Sequence, residues 1–242
     1  MKLPFQTVCL TLFLAAFMAS CSKIAPGTQG EGEPLSEVRE VRDFHGIENA
    51  THADVYLRQD KDFKVEVMAQ KNIAPLLKTE LTDGLLHIYF SENVGNTEGL
   101  KILVSGPNFD ELSMAGSGNL FIESDLQTKL LRIAVAGSAN VTGSDHQLSV
   151  QGLDAKISGS GNISLSGTAE TADLAISGSG EMSLFNLRIN KATVSVTGSG
   201  DIDCTVQQTL KATVTGTGNI TYKGPATVES DVTGSGSITK ID

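Results

Sequence analysis

Aromatic residues are scarce in this chain of 242 residues, which has no tryptophan and only 5% Phe, Trp and Tyr. A core that lacks large rings must be built mainly from Val, Ile, Leu and Ala. Such short side chains suit a narrow structure, and the length allows one or two domains.

Cysteine is also rare: the chain has only Cys9, Cys21 and Cys204, and they are widely spaced. Cys9 lies in the apolar N-terminal segment described below, so a disulfide framework is excluded. Cys204 is in phase with the interior positions Leu165 and Leu184 of the repeats described below. We therefore expect a buried structural thiol rather than a reactive one.

Positive charge is in deficit, since 18 Lys and Arg residues face 28 Asp and Glu residues, for a net charge of −10. No basic patch interrupts this balance, which argues against a nucleic-acid partner. The four histidines are scattered without the spacing of metal ligands. The sequence therefore predicts neither a metal nor any other cofactor.

A long hydrophobic run is missing as well, because the apolar stretch at 8–18 is too short to span a membrane comfortably. Residues 1–20 follow the plan of a secretory signal peptide. MetAlaSerCys at 18–21 resembles a bacterial lipobox, in which Cys21 carries the lipid. The alternative is cleavage by ordinary signal peptidase, which leaves Cys21 free. We expect an envelope lipoprotein of the outer membrane, facing the periplasm or the surface.

What the chain has in abundance is one short phrase, which occurs seven times within residues 112–242 in forms such as SerGlySerGlyAsnIle. The first glycines of the copies are 18 to 22 residues apart. They are Gly116, Gly137, Gly159, Gly178, Gly198, Gly216 and Gly234. A period near twenty residues indicates a solenoid.

The phase of the pattern predicts which side chains face inward. The fourth residue after each first glycine is always apolar, as is the residue two places before the glycine. In an extended chain these positions and the glycines share one side, so the glycines lie inside, where a tight coil leaves no room for a Cβ. Polar residues such as Ser158, Ser160 and Asn162 form outward ladders. The predicted fold is an all-β parallel β-helix; the alternative is an antiparallel meander with GlySerGly hairpin turns.

The chain before the repeats is less regular. We predict a flexible tether at 21–37, a strand-rich N-terminal part at 38–105 and the β-helix at 106–242. Residues 51–57 match a degenerate coil, with Ala53 in the place of the second glycine and Asp54 in that of the asparagine. A short helix is expected at 72–77, and a hairpin at Asp83 and Gly84. The N-terminal part would cap or extend the solenoid.

These segments together resemble a known family of secreted bacterial proteins, the putative auto-transporter adhesin, head GIN domain family, which is common in Bacteroidetes. The resemblance rests on PheHisGlyIle at 44–47, AspValTyrLeu at 54–57, residues 78–88 and the GlySerGlyAsnIle repeats, and it covers roughly 40–240. It implies a β-helical envelope or surface protein with a suspected adhesive role, and no catalytic residue is carried over. Ala139 departs from the repeat and is expected to alter that turn without ending the solenoid.

An enzyme on this scaffold would need clustered carboxylates, and Glu181, Asp201 and Asp203 are the best candidates. Glu181 and Asp201 share one repeat position and would stack. Other copies of the repeat have asparagine at this position. A turn position that accepts any small polar or acidic residue is therefore the simpler explanation. The GlySerGlyAspIleAsp segment at 198–203 also lacks the tandem copies of a calcium-binding nonapeptide. We predict no catalytic residue.

The sequence therefore favours a non-enzymatic envelope lipoprotein that presents a polar face to a carbohydrate or a surface protein. Candidate residues of that face are Ser160, Asn162, Thr217 and Asn219, whose hydroxyl and amide groups suit repeated hydrogen bonds. Two alternatives are a polysaccharide-cleaving enzyme and a structural protein that self-assembles through its solenoid ends. The oligomeric state stays open.

Overall fold

The computed structural model describes residues 27–242, and within that range the chain is built from 17 β-strands without a helix. The predicted signal peptide and Cys21 lie outside the described residues. The strands are β1 (Pro34–Arg39), β2 (Gly46–Asn49), β3 (Asp54–Gln59), β4 (Lys64–Gln70), β5 (Leu77–Thr82), β6 (Leu85–Phe90), β7 (Lys101–Gly106), β8 (Glu111–Met114), β9 (Leu120–Ile122), β10 (Leu126–Gly137), β11 (Asn140–Gly159), β12 (Asn162–Gly178), β13 (Glu181–Gly198), β14 (Asp201–Gly216), β15 (Asn219–Lys223), β16 (Thr227–Gly234) and β17 (Ser237–Lys240).

The repeats form a β-solenoid in which strands β11 to β14 each begin after one glycine turn and end at the first glycine of the next. Strands β10 to β14 pair in parallel, each with the equivalent strand of the next coil. Ile157, Ile176, Val196 and Val214 consequently lie side by side in successive coils. This confirms the parallel β-helix, and the antiparallel meander is wrong for the repeats.

The interior is aliphatic, as the alternation of the sequence predicts. Side chains of the apolar positions from Met114 to Ile220 have almost no exposed surface, and one continuous core cluster runs through the N-terminal part and the repeats. Cys204 pairs with Leu184, is fully buried, and has a thiol whose pKa burial raises to about 12. The predicted structural thiol is confirmed.

Glycine is required at the turns because neighbouring coils approach each other closely. A Cβ on Gly178 would lie 2.3 Å from the carbonyl oxygen of Gly159 in the preceding coil, and Gly178 also has a φ of +137°. L-residues with a side chain avoid that conformation. Ala139 breaks the pattern, yet pairing continues on both sides of it, so the solenoid does not end there.

Most of the variation in coil length is absorbed at one corner, which follows the aligned residues Gly143, Leu165 and Leu184. The register shifts there between Gly143 and Gln147 and between Leu184 and Arg188. Coils with extra residues bulge outward at this point. We call this edge of the solenoid the variable corner. One further register shift lies between Ile189 and Lys191.

The N-terminal part extends the solenoid, but its coils are stacked out of chain order. The coil of β2 and β3 lies between the coil of β6 and β7 and that of β8 and β9. Asp54 aligns with Asn119, and Ala53 lies against the second glycine of the next coil, Gly118. The predicted degenerate coil is confirmed.

The same part of the chain also covers the first coil with antiparallel strands. Strand β4 pairs with β7 and β1, and β5 pairs with β6. Asp83 and Gly84 connect β5 and β6 with φ values of +51° and +80°, as a type I′ turn requires. The predicted hairpin is confirmed, and one end of the solenoid is capped.

Two predictions for this region differ from the structure. Residues 72–76 form turns and Leu77 begins β5, so the predicted helix is wrong. Pro75 cannot donate a hydrogen bond, and the Asn72 side chain binds the carbonyl of Gln29 and the amide of Glu31 instead of capping a helix. The predicted tether at 21–37 also differs, because residues 27–37 lie on the folded part. Thr28 bridges to Val94 there, and β1 pairs with β4.

Within residues 27–242, no helix has the length and hydropathy needed to cross a membrane.

Candidate ligand-binding face

Two rows of polar side chains run along the outside of the solenoid at the GlySerGly turns. The turn ladder consists of the residue after the first glycine of each turn, namely Ser117, Ser138, Ser160, Ser179, Ser199, Thr217 and Ser235. The Asn ladder follows two residues later and consists of Asp54, Asn119, Asn140, Asn162, Glu181, Asp201, Asn219 and Ser237. Parallel in-register pairing places equivalent residues of successive coils next to each other.

Hydrogen bonds between coils hold the Asn ladder in one orientation. Asn140 Nδ2 donates to Asn119 Oδ1 and Asn162 Nδ2 donates to Asn140 Oδ1, both at 2.8 Å. Asn219 donates through its backbone and its side chain to Asp201 Oδ1, each at 2.9 Å. The ladder therefore stabilises the stacking of the coils, and it presents a pre-organised row of amide and carboxylate groups.

The structure places the four predicted face residues outward but in two groups. Ser160 and Asn162 occupy one coil, and Thr217 and Asn219 occupy a coil three steps away, roughly 14 Å along the axis at about 4.8 Å per coil. Thr217 Oγ1 lies 2.9 Å from Ser199 Oγ. These residues form a long strip and not a compact site.

Two of the three carboxylates considered for catalysis, Glu181 and Asp201, belong to the Asn ladder, and Asp203 lies two residues beyond Asp201 on the same strand. Glu181 and Asp201 stack as predicted, and Glu181 accepts a hydrogen bond from Ser183 at 2.8 Å. Burial raises the pKa of the Asp203 carboxyl, and the neighbouring Glu181 and Asp201 raise it further. Among the described residues, no group of three or more His, Cys, Asp and Glu side chains is arranged to hold a metal ion. The hydrogen bonds of these acidic side chains to neighbouring residues are enough to explain why they are present, without a catalytic role.

A third outward row lies two residues beyond the Asn ladder and contains an aromatic pair that the sequence interpretation missed. This outer ladder consists of Leu103, Tyr56, Phe121, Thr142, Ser164, Ser183, Asp203, Thr221 and Thr239. Tyr56 and Phe121 stack with ring centroids 5.0 Å apart, and Lys101 Nζ lies 5.6 Å from the centroid of Tyr56. The sequence does contain a signal for this pair, because aligning Asp54 with the asparagines of the repeats places Tyr56 opposite Phe121.

A separate cleft of ≈ 380 Å³ lies on the stretch of coil that follows the variable corner, and it is lined by Lys191, Lys211, Glu229 and several threonines. Lys211 Nζ is 3.9 Å from Glu229 Oε1, so part of its charge is compensated within the protein. This cleft is distinct from the three ladders.

Comparison with protein families gives a match over residues 43–226 to the family described as putative auto-transporter adhesin, head GIN domain. The chain belongs to this family. The matched range contains the aromatic pair, the Asn ladder from Asp54 to Asn219, and six of the seven glycine turns. Membership of the GIN-domain family confirms the resemblance expected from the sequence.

Several solved structures from Bacteroides and Parabacteroides species are similar to this chain. A putative adhesin from Bacteroides fragilis is 30% identical and superposes with a TM-score of 0.83, covering 89% of this chain and 100% of that one. A putative lipid binding protein from Parabacteroides distasonis is 26% identical, with a TM-score of 0.75 and coverage of 88% and 99%. A putative adhesin from Parabacteroides merdae is 25% identical, with a TM-score of 0.68 and coverage of 90% and 100%. No curated protein matches the chain.

Proposed function

We propose that this GIN-domain protein is a non-enzymatic, adhesin-like lipoprotein of the cell envelope. In this proposal Cys21 carries the lipid that holds it to the outer membrane. The names of the family and of two structural relatives support an adhesive role. The lipobox-like sequence at 18–21 supports the anchor.

The observation that carries the proposal is the continuity of the polar strip. Hydroxyl, amide or carboxylate groups recur at every coil, and hydrogen bonds between coils fix the asparagines before any ligand arrives. The proposed ligand offers repeated polar groups, as a carbohydrate chain or a polar surface of a protein does. Because the face is already ordered, binding such a ligand would cost the protein little conformational entropy. Each contact is weak, and their sum provides affinity.

Both groups of predicted face residues take part in the proposed role. Ser160 and Asn162 would contact one part of an extended ligand, and Thr217 and Asn219 would contact a part three coils further along. The proposed partner is a carbohydrate or a surface protein, and no cofactor is required.

A glycan-array screen on the full chain, purified in detergent, tests this function when reducing-sugar release is measured on every hit. The proposal predicts saturable binding without release. Replacing Ser160 and Thr217 by Ala, and Asn162 and Asn219 by Asp, should weaken binding while the thermal midpoint shows that the variant is folded. Sugar release would contradict the non-enzymatic role and would direct attention to Glu181, Asp201 and Asp203.

The lipid anchor is tested separately by metabolic labelling with a radioactive fatty acid. Incorporation into the wild-type chain and its absence from a Cys21→Ser variant are expected. Equal labelling of the two chains would contradict attachment at Cys21.

A further inference from the structure

The outer ladder changes character abruptly along the solenoid. It presents Leu103, Tyr56 and Phe121 in three successive coils and then only small or acidic side chains, starting with Thr142. This step leaves a cleft of ≈ 190 Å³ beside the aromatic pair, lined by Phe121, Thr142 and residues 143–146 of the variable corner. One face of an aromatic ring therefore borders an open space of about the size of one small ring.

A second cleft of ≈ 270 Å³ lies on the other side of the pair. Arg58, Asp60, Lys64 and Ser105 contribute to its lining, and Tyr56 and Glu123 line both clefts. Arg58 Nε and Glu123 Oε2 are 3.0 Å apart, which fixes the carboxylate between the two spaces. The two clefts thus meet at Tyr56 and share one oriented hydrogen-bond acceptor.

We propose that this paired cleft, the aromatic cleft, binds one or two adjacent units of a neutral carbohydrate. A pyranose has one face of C–H groups, which is attracted to the negative face of an aromatic ring, and a rim of hydroxyls. Glu123 and Asp145 would accept hydrogen bonds from such hydroxyls, and Arg58 and Lys64 would donate to them. The inference rests on the proposed adhesin-like function and names its ligand class and central site.

Size and charge select this ligand among the alternatives. Each cleft is smaller than the ~300 Å³ at which pockets for drug-sized ligands begin, which limits each to a single ring. The net charge of −10, together with Glu123, Asp60 and Asp145 at the clefts, disfavours phosphorylated or sulfated ligands.

A purely structural role for the two rings predicts a different outcome in experiments. Stacked aromatic pairs on neighbouring strands stabilise sheets, so Tyr56 and Phe121 contribute to folding in either case. Thr142, Ser164, Ser183 and Thr221 show, however, that the outer ladder accepts small residues in other coils. Two rings that the solenoid does not need at this position are better explained by a ligand.

The test uses the full chain in detergent and the neutral glycan that binds it most tightly on an array, with affinities measured by calorimetry. The double variant Tyr56→Thr with Phe121→Thr introduces the residue that the outer ladder already contains elsewhere. It should bind at least tenfold more weakly. The control is Phe185→Thr, since Phe185 is another half-buried aromatic residue, stacked by Lys223 at 4.8 Å, and lies outside both clefts. Its affinity should stay within twofold of wild type.

Unchanged affinity in the folded double variant would overturn the inference. If that variant does not fold, Phe121→Leu removes the ring with little change in volume and must still weaken binding tenfold. Loss of binding only in the variants of Ser160, Asn162, Thr217 and Asn219 would also overturn it, while leaving the proposed function intact. Failure of the wild-type chain to bind any neutral glycan would overturn the carbohydrate assignment and leave only a protein ligand for the proposed function.

Discussion

At the scale of single residues, the turn between β2 and β3 shows how the solenoid makes a coil without glycine. Asn49 and Thr51 are buried there, and their side chains satisfy the backbone groups of the turn. Asn49 Nδ2 donates to Ala53 O at 2.9 Å, and Asn49 Oδ1 accepts from both the amide and the hydroxyl of Thr51. Side-chain hydrogen bonds thus replace the GlySerGly phrase.

Replacing Asn49 by Ala should therefore be costly, because several buried polar groups would lose their partners. We expect a loss of about 3 kcal/mol in the free energy of unfolding, measured by the midpoint of urea denaturation. Asn186→Ala is the matched control, since Asn186 is exposed at the variable corner, and its effect should stay below about 0.5 kcal/mol. Equal midpoints for the two variants would show that Asn49 is not structural.

At the scale of elements, the glycine turns set the distance between coils. A Cβ on Gly198 would lie 2.5 Å from the carbonyl oxygen of Gly178, and the φ of Gly198 is +118°. We expect Gly198→Ala to destabilise the protein by about 3 kcal/mol or more. Gly152→Ala is the control: its Cβ would meet the end of the Leu130 side chain at 3.0 Å, which can move, and Thr171 Oγ1 at an ordinary 3.7 Å, and its φ is not in the left-handed region. Thermal unfolding of both variants checks this, and similar midpoints would contradict it.

The Asn ladder contains one unfavourable position, where Glu181 stands between Asn162 and Asp201. An asparagine side chain at position 181 would donate a hydrogen bond to Asn162, as other asparagines of the ladder donate to the preceding coil. It would also remove the repulsion between neighbouring carboxylates. Glu181→Asn should stabilise the protein by about 1 kcal/mol at neutral pH. Glu181→Gln also removes the charge, but its side chain is longer than that of asparagine. Comparing the two variants therefore separates the effect of the charge from that of the ladder hydrogen bond. A lower thermal midpoint for Glu181→Asn would contradict a hydrogen-bonded ladder.

The same substitution should lower the pKa of Asp203, which Glu181 helps to raise. A carboxyl whose pKa is raised in the folded state favours folding below its ordinary pKa, and this contribution is lost as the pH rises through the folded-state pKa. The stability that wild type gains from Asp203 on acidification should therefore be smaller in Glu181→Asn. Carboxyl NMR titration measures this pKa directly, and an unchanged value would exclude coupling between the two residues.

Elements also show where sequence reasoning succeeds and fails for this fold. The parity of Ile163, Asn162 and Ser160 predicts their inward and outward placement, because in-register stacking repeats one local pattern. The insertion of the β2 and β3 coil between later coils was not predictable, since a period does not specify which segments become neighbours. The helix at 72–77 failed because Asn72 binds a distant part of the chain, which local signals do not reveal. Tyr56 and Phe121 could have been paired from the alignment, but the cleft beside Phe121 is lined by the variable corner, whose shape no repeat position predicts.

At the scale of the whole molecule, the two ends of the solenoid differ. Antiparallel strands β4 and β5 cover the first coil, whereas β16 and β17 end the described chain with mostly exposed residues, and Val232 of the interior row is 41% exposed. Each coil is stabilised mainly by its neighbours, so the coil of β16 and β17 should open most often.

Hydrogen exchange of the full chain, followed by mass spectrometry, should show this gradient. Amides of β16 and β17 should exchange well before those of β12 and β13, while β6 and β7 stay protected under their covering strands. Equal protection at both ends would mean that the open end is covered in solution, and a second copy of the chain would then be the first partner to examine by solution mass.

Carbohydrate binding at the aromatic cleft is tested most directly by amide chemical-shift mapping of the full chain with the tightest-binding neutral glycan. We expect shifts at the coils of β3, β7 and β9 around Tyr56 and Phe121, with smaller shifts along the turn and Asn ladders. Shifts confined to the cleft of Lys191 and Lys211, or to the end strands β16 and β17, would contradict it and place recognition on a different surface of the solenoid.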